Sequence, residues 1–289
     1  MAQKGEELKK LIIVGSSGFV GQSLKDYIKS KKTKFSRIIN FSRTEKKNII
    51  KLKKLPKADY IIYCINNKNI SKSLKYFFHF KKLIKECSKE IKIMFISSGA
   101  VYGPRSYCKK FKETEKINIE KFKNYKDYKK KYTEEKLLLE NEFKKLGYDG
   151  YNVSIARCFT FYGKYILKYN YAISQIIRSI RSNKKIIIDN QYTFRSYMHA
   201  NDMCRWLIKI IKTSSNKCPI YNVGSDKLIK IKNLANFLAK KYNLEIVIKK
   251  NKYNKLDFYV PSTNLAKKKL KLKTTINLKH AIDLLINLK

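Results

Sequence analysis

Histidine is scarce in this 289-residue chain, and its six cysteines are scattered without any C-x-x-C pair. Neither a zinc site nor a disulfide framework is therefore expected. No run of 18 apolar residues is present, which argues against a transmembrane helix. The amino-terminal stretch also lacks the hydrophobic segment of a secretory signal. We expect a cytoplasmic protein with no metal and no membrane partner.

Acidic residues are also few, since 22 Asp and Glu stand against 66 Lys and Arg, for a formal net charge of +44. Only 8 of these cations are arginine, and the lysines are spread along the whole chain beside abundant Ile and Asn. Such a composition is typical of an AT-rich genome. A nucleic-acid-binding protein more often concentrates charge on one face and uses arginine for bidentate contacts. We expect no specific nucleic-acid partner, although the positive field attracts anionic substrates.

The hydrophobic pattern alternates between short apolar runs and amphipathic stretches, which is typical of repeated β-α-β units. The clearest predicted strands are Leu11–Val14, Arg37–Phe41, Tyr60–Ile65, Ile91–Ile96 and Tyr151–Ala156. The clearest predicted helices are Phe19–Ser30, Ser71–Cys87 and Tyr132–Leu146. This alternation predicts an α/β fold with a doubly wound parallel sheet of the Rossmann type. Residues 105–130 are charged and are predicted to lie on the surface.

A glycine-rich turn connects the first predicted strand to the first predicted helix. In such a turn one glycine permits the tight bend, one lets a phosphate approach the backbone, and one lets helix and strand pack closely. The helix N-terminus then offers N–H groups and a positive dipole end to a pyrophosphate. The predicted cofactor-binding residues are Gly15, Ser17, Gly18, Phe19, Val20 and Gly21.

The end of the second predicted strand bears on the choice between NAD and NADP. An acidic residue there would bind the ribose hydroxyls of NAD, but the sequence reads Asn40-Phe41-Ser42-Arg43. Ser42 and Arg43 would instead suit a 2′-phosphate, which favours NADP slightly. The alternative that Arg43 is only a solvated loop residue stays open, so the cofactor prediction is NAD or NADP.

Two Tyr-x-x-x-Lys pairs follow in the chain, Tyr125 with Lys129 and Tyr132 with Lys136. On a helix, positions i and i+4 share one face, so a lysine ammonium there favours the phenolate form of its tyrosine. Such a phenol exchanges a proton with a substrate hydroxyl. We prefer Tyr132 and Lys136 as catalytic residues, because the helix pattern that continues through Leu137-Leu138-Leu139-Glu140 is similar to that of extended short-chain dehydrogenase/reductases.

The segment Ser97-Ser98-Gly99-Ala100-Val101-Tyr102-Gly103 follows a buried strand and resembles the S-S-x-x-V-Y-G signature of extended short-chain dehydrogenase/reductases. The G-x-x-G-x-x-G spacing of the opening turn is similar to that superfamily as well. The resemblance implies that Ser98 is catalytic and hydrogen-bonds the reacting oxygen. It also implies that Lys136 binds the nicotinamide ribose. The interval from Ser98 to Tyr132 is longer than usual in the family, which predicts a surface insertion at about 109–125.

Downstream segments resemble the members of this superfamily that act on nucleotide sugars, a likeness that spans nearly the whole chain. Residues 156–163 are similar to their R-x-x-N-x-Y-G segment, with Thr160 in place of the asparagine. Residues 195–202 are similar to their R-D-Y-x-H-V-x-D segment, so Arg195 is expected to pair with a substrate diphosphate. The predicted substrate-binding residues are Ser98, Tyr102, Thr160 and Arg195, and the substrate is a nucleoside-diphosphate sugar.

The same scaffold supports several reactions. Relatives that are 4,6-dehydratases carry an Asp-Glu pair where this chain has Gly99 and Ala100, neither of which transfers a proton. A 4-epimerase acting through a transient 4-keto sugar needs no further residue and is the preferred prediction. The alternatives are an NADPH-dependent 4-keto-sugar reductase, a dehydratase, and a non-catalytic dinucleotide-binding or RNA-binding relative.

The predicted organisation has two interleaved lobes. Residues 1–163 and 198–225 form the NAD(P)-binding Rossmann domain, and residues 164–197 and 226–289 form a smaller substrate-binding lobe. The family resemblance implies a homodimer that pairs through the helices at Ser71–Cys87 and Tyr132–Leu146. A role in polysaccharide biosynthesis is expected only by analogy.

Overall fold

A computed structural model describes residues 9–31, 35–42, 48–67, 69–249 and 255–287. The helices among these residues are α1 (Phe19–Ser30), α2 (Ile70–Ile84), α3 (Asp127–Tyr148), α4 (Ala172–Arg181), α5 (Ala200–Ile211), α6 (Ile231–Tyr242), α7 (Asn264–Leu270) and α8 (Leu278–Ile286). None of them is long and apolar enough to cross a membrane. The strands of the main sheet are β1 (Lys9–Val14), β2 (Phe35–Phe41), β3 (Tyr60–Tyr63), β4 (Lys92–Ser98), β5 (Asn152–Cys158) and β10 (Ile220–Val223). The remaining strands are β6 (Phe161–Tyr162), β7 (Ile186–Ile188), β8 (Thr193–Arg195), β9 (Met198–His199), β11 (Ile229–Lys230), β12 (Ile246–Ile248) and β13 (Asp257–Tyr259).

The main sheet has the strand order β10-β5-β4-β3-β1-β2. Strand β1 pairs in parallel with both β2 and β3, and β3 pairs in parallel with β4. Residues Leu11–Val14 are fully buried, as expected of a strand covered on both faces. The doubly wound Rossmann fold is therefore confirmed. The strand order reverses between β1 and β3, and open α/β sheets bind ligands at the carboxyl ends of such strands.

The chain packs into two compact units. The first unit comprises Met1–Ser97, Lys131–Ala156 and Ile208–Ile220, and the second comprises Ser98–Lys130, Arg157–Leu207 and Tyr221–Lys289. The sequence-based division assigned 98–130, 157–163, 198–207 and 221–225 to the Rossmann lobe, whereas packing groups them with the second unit.

Aromatic rings form the centre of the first unit. Phe143 of α3 stacks on Phe95 of β4 with ring centroids 4.6 Å apart. The same ring contacts Tyr63 at 5.3 Å and Phe77 at 5.0 Å. Because Phe143 lies on the same helical stripe as Lys136, this packing fixes which face of α3 is buried.

The second unit includes residues that the sequence placed in a surface insertion. That expectation was wrong for Phe111 and Phe122, which are only 0% and 2% exposed. The Phe111 amide donates to the carbonyl of Val260, and the Ser262 amide donates to the carbonyl of Phe111. Most lysines of this segment face solvent, whereas Phe111 bonds to residues that follow β13, about 150 residues further along the chain.

Candidate functional site

The glycine-rich turn at the end of β1 has the tight geometry that only glycine permits. Gly15 has φ +98°, and a Cβ built on it would lie 2.7 Å from the carbonyl carbon of Cys64 and from the amide nitrogen of Ile65. A Cβ on Gly21 would lie 2.8 Å from the carbonyl oxygen of Gly15. These two glycines let β1, β3 and α1 approach each other closely.

Gly18 differs from the other two glycines because the space beside it is open. A Cβ there would meet only the carbonyl oxygen of Gly15, at 3.6 Å. Gly18 is the N-cap of α1, offers no side-chain cap, and precedes a first turn without acidic residues. An uncapped helix N-terminus with room beside it suits a phosphate. Ser17 is exposed and Phe19 and Val20 are half-buried, and their contact with a cofactor stays a prediction.

The residues expected to choose between NAD and NADP are only partly described. Ser42 is buried at the end of β2, and Arg43 lies outside the described residues.

The first unit also has a cavity that the sequence analysis did not predict. A cavity of about 380 Å³ follows β3 and is lined by Ile50, Asn67, Lys72, Lys75 and Tyr76. Lys72 and Lys75 on one wall of this cavity suit an anionic group. The sequence could not identify them as binding residues, because the chain has 58 lysines.

Tyr132 and Lys136 lie on α3, one turn apart. Lys136 is only 3% exposed, and its Nζ donates a hydrogen bond of 3.1 Å to the carbonyl of Ile65. The same nitrogen lies 5.7 Å from the ring centroid of Tyr132 and 5.2 Å from that of Phe95. Because Cys64 and Ile65 are also the residues that a Cβ on Gly15 would clash with, the buried ammonium is bonded to the same backbone segment that packs on the glycine turn.

Cys64 lies in that segment but is not a reactive thiol. Its Sγ donates to the carbonyl of Gly15 at 3.4 Å. Burial raises the pKa of the Cys64 thiol to about 12, and the nearby Lys136 ammonium only partly opposes this. The thiol is therefore neutral at physiological pH and takes no part as a nucleophile.

The end of β4 is anchored to α3 within the first unit. The Ser97 hydroxyl donates a hydrogen bond of 2.6 Å to Glu140, and both side chains are buried. Glu140 lies one turn beyond Lys136, so this bond holds the strand end on the helix that carries the tyrosine and lysine. Sequence reasoning treated Glu140 only as part of a helix pattern.

Ser98 is the next residue and begins the second unit. It is 6% exposed, and its Oγ accepts a hydrogen bond of 3.2 Å from the amide of Ala100, which caps the short 3-10 helix Gly99–Tyr102. Its other polar neighbour is the hydroxyl of Tyr259, at 3.4 Å. Since Tyr132 and Lys136 belong to the first unit, the meeting of Ser98 with them stays a prediction.

The alternative pair, Tyr125 and Lys129, lies in the second unit. Tyr125 precedes α3, and its hydroxyl donates to the carbonyl of Ala100 at 3.3 Å. Lys129 Nζ lies 4.1 Å from the centroid of the Tyr125 ring. Burial lowers the pKa of Lys129 to about 8, with Asp257 and Arg195 nearby acting in opposite directions.

The predicted substrate-binding residues of the second unit have defined partners. Tyr102 is buried, and its hydroxyl donates to Asn222 at 2.8 Å. Arg195 pairs with the carboxylate of Asp257 and also donates to the Asp257 carbonyl at 3.0 Å. Burial disfavours the Asp257 carboxylate, but Arg195 and Lys129 outweigh this and hold its pKa below the usual range. Thr160 is half-buried, and the roles of these residues toward a substrate stay predictions.

Gly99 has no room for a side chain. A Cβ built there would lie 2.6 Å from Cε2 of the Phe159 ring. The Phe159 ring in turn packs on the Tyr259 ring with centroids 4.7 Å apart. The position after Ser98 is therefore filled by an aromatic ring of its own unit and has no space for a carboxylate.

Comparison with known proteins shows the family and the fold. The sequence model of the NAD dependent epimerase/dehydratase family matches residues 11–224. RMD from Pseudomonas aeruginosa complexed with NADPH has a TM-score of 0.77 at 19% identity, covering 98% of each chain. UDP-glucose 4-epimerase from Thermotoga maritima, with UDP-glucose, has a TM-score of 0.77 at 16% identity, covering 96% of this chain and 97% of that one. UDP-N-acetylglucosamine 4-epimerase from Bacillus cereus has a TM-score of 0.73 at 19% identity, covering 96% and 95%. Among curated proteins, none matches the sequence significantly.

Proposed function

Since this chain belongs to the NAD dependent epimerase/dehydratase family, we propose that it is a nucleoside-diphosphate-sugar 4-epimerase that acts through a transient 4-keto sugar. One observation carries the proposal. The Lys136 ammonium is buried on the helix of Tyr132 and is bonded to the Ile65 carbonyl, beside the glycine turn. Burying an ammonium group costs free energy. Binding a nicotinamide dinucleotide on this turn would be a function that accounts for keeping the ammonium there.

The cofactor fits the residues that would hold it. The open space at Gly18 and the uncapped start of α1 would take the pyrophosphate, and Lys136 would take the nicotinamide ribose. When bound, the dinucleotide would supply reversible hydride transfer at C4 of the sugar. Tyr132 takes the proton of the sugar 4-hydroxyl and gives it back, while Lys136 favours its phenolate. Ser98 donates a hydrogen bond to the same oxygen.

The substrate proposal rests on the second unit and on the charge of the chain. Tyr102, Thr160 and Arg195 are the residues proposed to contact the sugar nucleotide. A formal net charge of +44 attracts any diphosphate. The similar structures include proteins named for UDP-glucose and UDP-N-acetylglucosamine, so UDP sugars are the first substrates to test.

A specific observation favours the epimerase over the dehydratase. Dehydratases of the family need an acid/base pair just after the serine. Here Gly99 is filled by the ring of Phe159, and Ala100 carries no acid. The 4-epimerase needs nothing at these positions.

The second candidate is an NADPH-dependent reductase of 4-keto sugar nucleotides, which uses the same Ser98, Tyr132 and Lys136. It is favoured by Lys72 and Lys75 in the cavity after β3, because two cations there suit a 2′-phosphate. Those lysines support NADP as the cofactor of either reaction.

The deciding experiment supplies the purified protein with UDP-glucose or UDP-N-acetylglucosamine and either NAD or NADPH. Absorbance at 340 nm and the proton NMR spectrum of the sugar are followed together. A 4-epimerase forms the C4 epimer without net change in absorbance. In a parallel reaction with NADPH and a 4-keto sugar nucleotide, loss of NADPH in proportion to the keto sugar would support the reductase instead. Absence of turnover and of dinucleotide binding, with salt-sensitive binding of unrelated RNAs, would contradict both.

The proposed assembly is a homodimer through α2 and α3. Phe78 of α2 is 53% exposed and Leu138 of α3 is 43% exposed, and both belong to the first unit. Phe78→Glu is expected to convert a dimer to a monomer in analytical ultracentrifugation, whereas Leu284→Glu, at an exposed position of α8, is not. A wild-type monomer at micromolar concentration would contradict the proposal. The cytoplasmic location and the role in polysaccharide synthesis stay predictions.

A further inference from the structure

The hydroxyl of Tyr259 is the feature that the proposed reaction does not yet use. Tyr259 ends β13, and its Oη lies 3.4 Å from Ser98 Oγ although the two residues are 161 positions apart in the chain. Its only other polar neighbour at a comparable distance among the described residues is the carbonyl of Cys158, at 3.5 Å. Both distances are long for O–H···O bonds, and catalytic hydrogen bonds often shorten only when substrate is bound.

The bonds at Ser98 decide what its hydroxyl hydrogen can do. A serine hydroxyl carries one hydrogen and accepts two hydrogen bonds. The Ala100 amide already fills one acceptor position, at 3.2 Å. If the Tyr259 hydroxyl donates its one hydrogen to the other position, at 3.4 Å, rather than to the Cys158 carbonyl at 3.5 Å, the Ser98 hydrogen is left for a third partner. If Ser98 instead donates to Tyr259, its hydrogen is used and it has nothing to donate to a sugar oxygen.

The surroundings of Tyr259 keep its hydroxyl protonated and its ring in place. Burial raises the pKa of the Tyr259 phenol, and this outweighs the lowering effect of Ser98 and Arg195. The ring packs on Phe159 with centroids 4.7 Å apart, and Lys129 Nζ lies 5.9 Å from its centroid. Among the described residues, the other titratable groups that act on it are Tyr125 and Cys158, and Arg195 itself pairs with Asp257. A protonated phenol in a fixed ring keeps one hydrogen available to donate to an acceptor near the plane of the ring.

We propose that Tyr259 is a positioning residue that donates its hydroxyl hydrogen to Ser98 and thereby leaves Ser98 as the donor to the reacting oxygen of the sugar. The inference rests on the proposed function, because it assumes that Ser98 contacts the 4-oxygen. No bond is formed or broken at Tyr259, so its effect passes entirely through the orientation of the Ser98 hydroxyl.

The test is the variant Tyr259→Phe, which removes the hydroxyl and keeps the ring. The expected result is a fall in kcat of about tenfold with KM within about twofold, since one oriented hydrogen bond in the transition state is lost. The matched control is Tyr242→Phe. Tyr242 ends α6, and its hydroxyl bonds Asp283 of α8 at 2.7 Å, so this variant is expected to keep the wild-type kcat. Thermal unfolding of both variants checks that the ring positions remain filled.

A double-mutant cycle then separates positioning from general loosening. In a Ser98→Ala background, measured in single turnovers with enzyme in excess, Tyr259→Phe is expected to have no further effect on rate. In the protein that keeps Ser98, the fall in kcat caused by Tyr259→Phe should also be the same from pH 6 to 9, because Tyr259 stays protonated. Equal losses in both backgrounds, or a wild-type kcat for Tyr259→Phe, would overturn the inference while leaving the proposed function intact. Failure of the wild-type protein to turn over any sugar nucleotide would overturn the proposed function itself.

Discussion

The two Tyr-x-x-x-Lys pairs have identical spacing and different surroundings. Lys136 is buried in the first unit and bonded to the Ile65 carbonyl beside the glycine turn. Lys129 is half-buried in the second unit, over the ring of Tyr125 and near a carboxylate–guanidinium pair. Tyr125 precedes α3, so only Tyr132 and Lys136 are helical neighbours at i and i+4. Spacing therefore identifies candidate pairs, and the local backbone decides which pair can serve a cofactor.

The largest expected effect comes from removing one tyrosine hydroxyl at a time. Tyr132→Phe should lower kcat about 10³-fold, because a general acid/base is lost, and should leave dinucleotide affinity within about threefold. Tyr125→Phe, the matched change, should lower kcat no more than about threefold, because its hydroxyl bonds a backbone carbonyl, that of Ala100. Steady-state kinetics on both variants measures these losses. Similar losses in kcat, or a larger loss for Tyr125→Phe, would contradict the choice of Tyr132 as the catalytic tyrosine.

The two lysines, Lys136 and Lys129, are expected to differ in their effect on dinucleotide binding. Lys136→Met should weaken dinucleotide binding at least tenfold and lower kcat about 10²-fold, because the ammonium is proposed to hold the ribose and to favour the phenolate. Lys129→Met should leave dinucleotide affinity unchanged. Isothermal titration with NAD and NADP measures both, and equal affinities for wild type and Lys136→Met would contradict the assignment.

A smaller effect is expected at the anchor between β4 and α3. Glu140→Ala leaves the buried Ser97 hydroxyl without its acceptor, so the free energy of unfolding should fall by about 1–3 kcal/mol. Glu140→Gln keeps a carbonyl acceptor and should lose less. Urea unfolding of the two variants checks this, and equal losses would show that the hydrogen bond contributes little to stability.

A dependence of stability on pH is expected at Lys129. Its pKa is lowered by burial to about 8, whereas in an unfolded chain it is about 10.4. Between these values the unfolded chain binds a proton that the folded chain has released, so this residue makes stability rise with pH. Lys129→Met should be more stable than wild type below pH 8, and the difference should shrink toward pH 10. A difference that does not change with pH would contradict the lowered pKa.

Local sequence patterns predicted the elements whose structure depends on residues close to them in the chain. The strand, turn and helix around Gly15 were correct, and α1 occupies Phe19–Ser30 as expected. The family resemblance drawn from the motifs is confirmed. Helix α3 was predicted from 132 to 146 and extends from 127 to 148, because the charged residues at its start gave no hydrophobic signal.

Contacts between distant parts of the chain were not predictable. Phe111 and Phe122 lie in a lysine-rich segment, and nothing local to that segment shows that Phe111 packs against residues near 260. The contact of Tyr259 with Ser98 likewise joins residues 161 positions apart. Lys72 and Lys75 are close because they lie three positions apart on α2, but nothing local shows that Ile50 lines the same cavity.

The most direct test of the account follows the hydrogen at C4 of the sugar. Wild-type protein is incubated with UDP-glucose labelled with deuterium at C4, and with UDP-N-acetylglucosamine labelled in the same way, in the presence of NAD. The account predicts that the C4 epimer of at least one sugar forms with its deuterium retained, and that Tyr132→Phe forms none. Loss of the label to solvent, or wild-type rates in Tyr132→Phe, would contradict it.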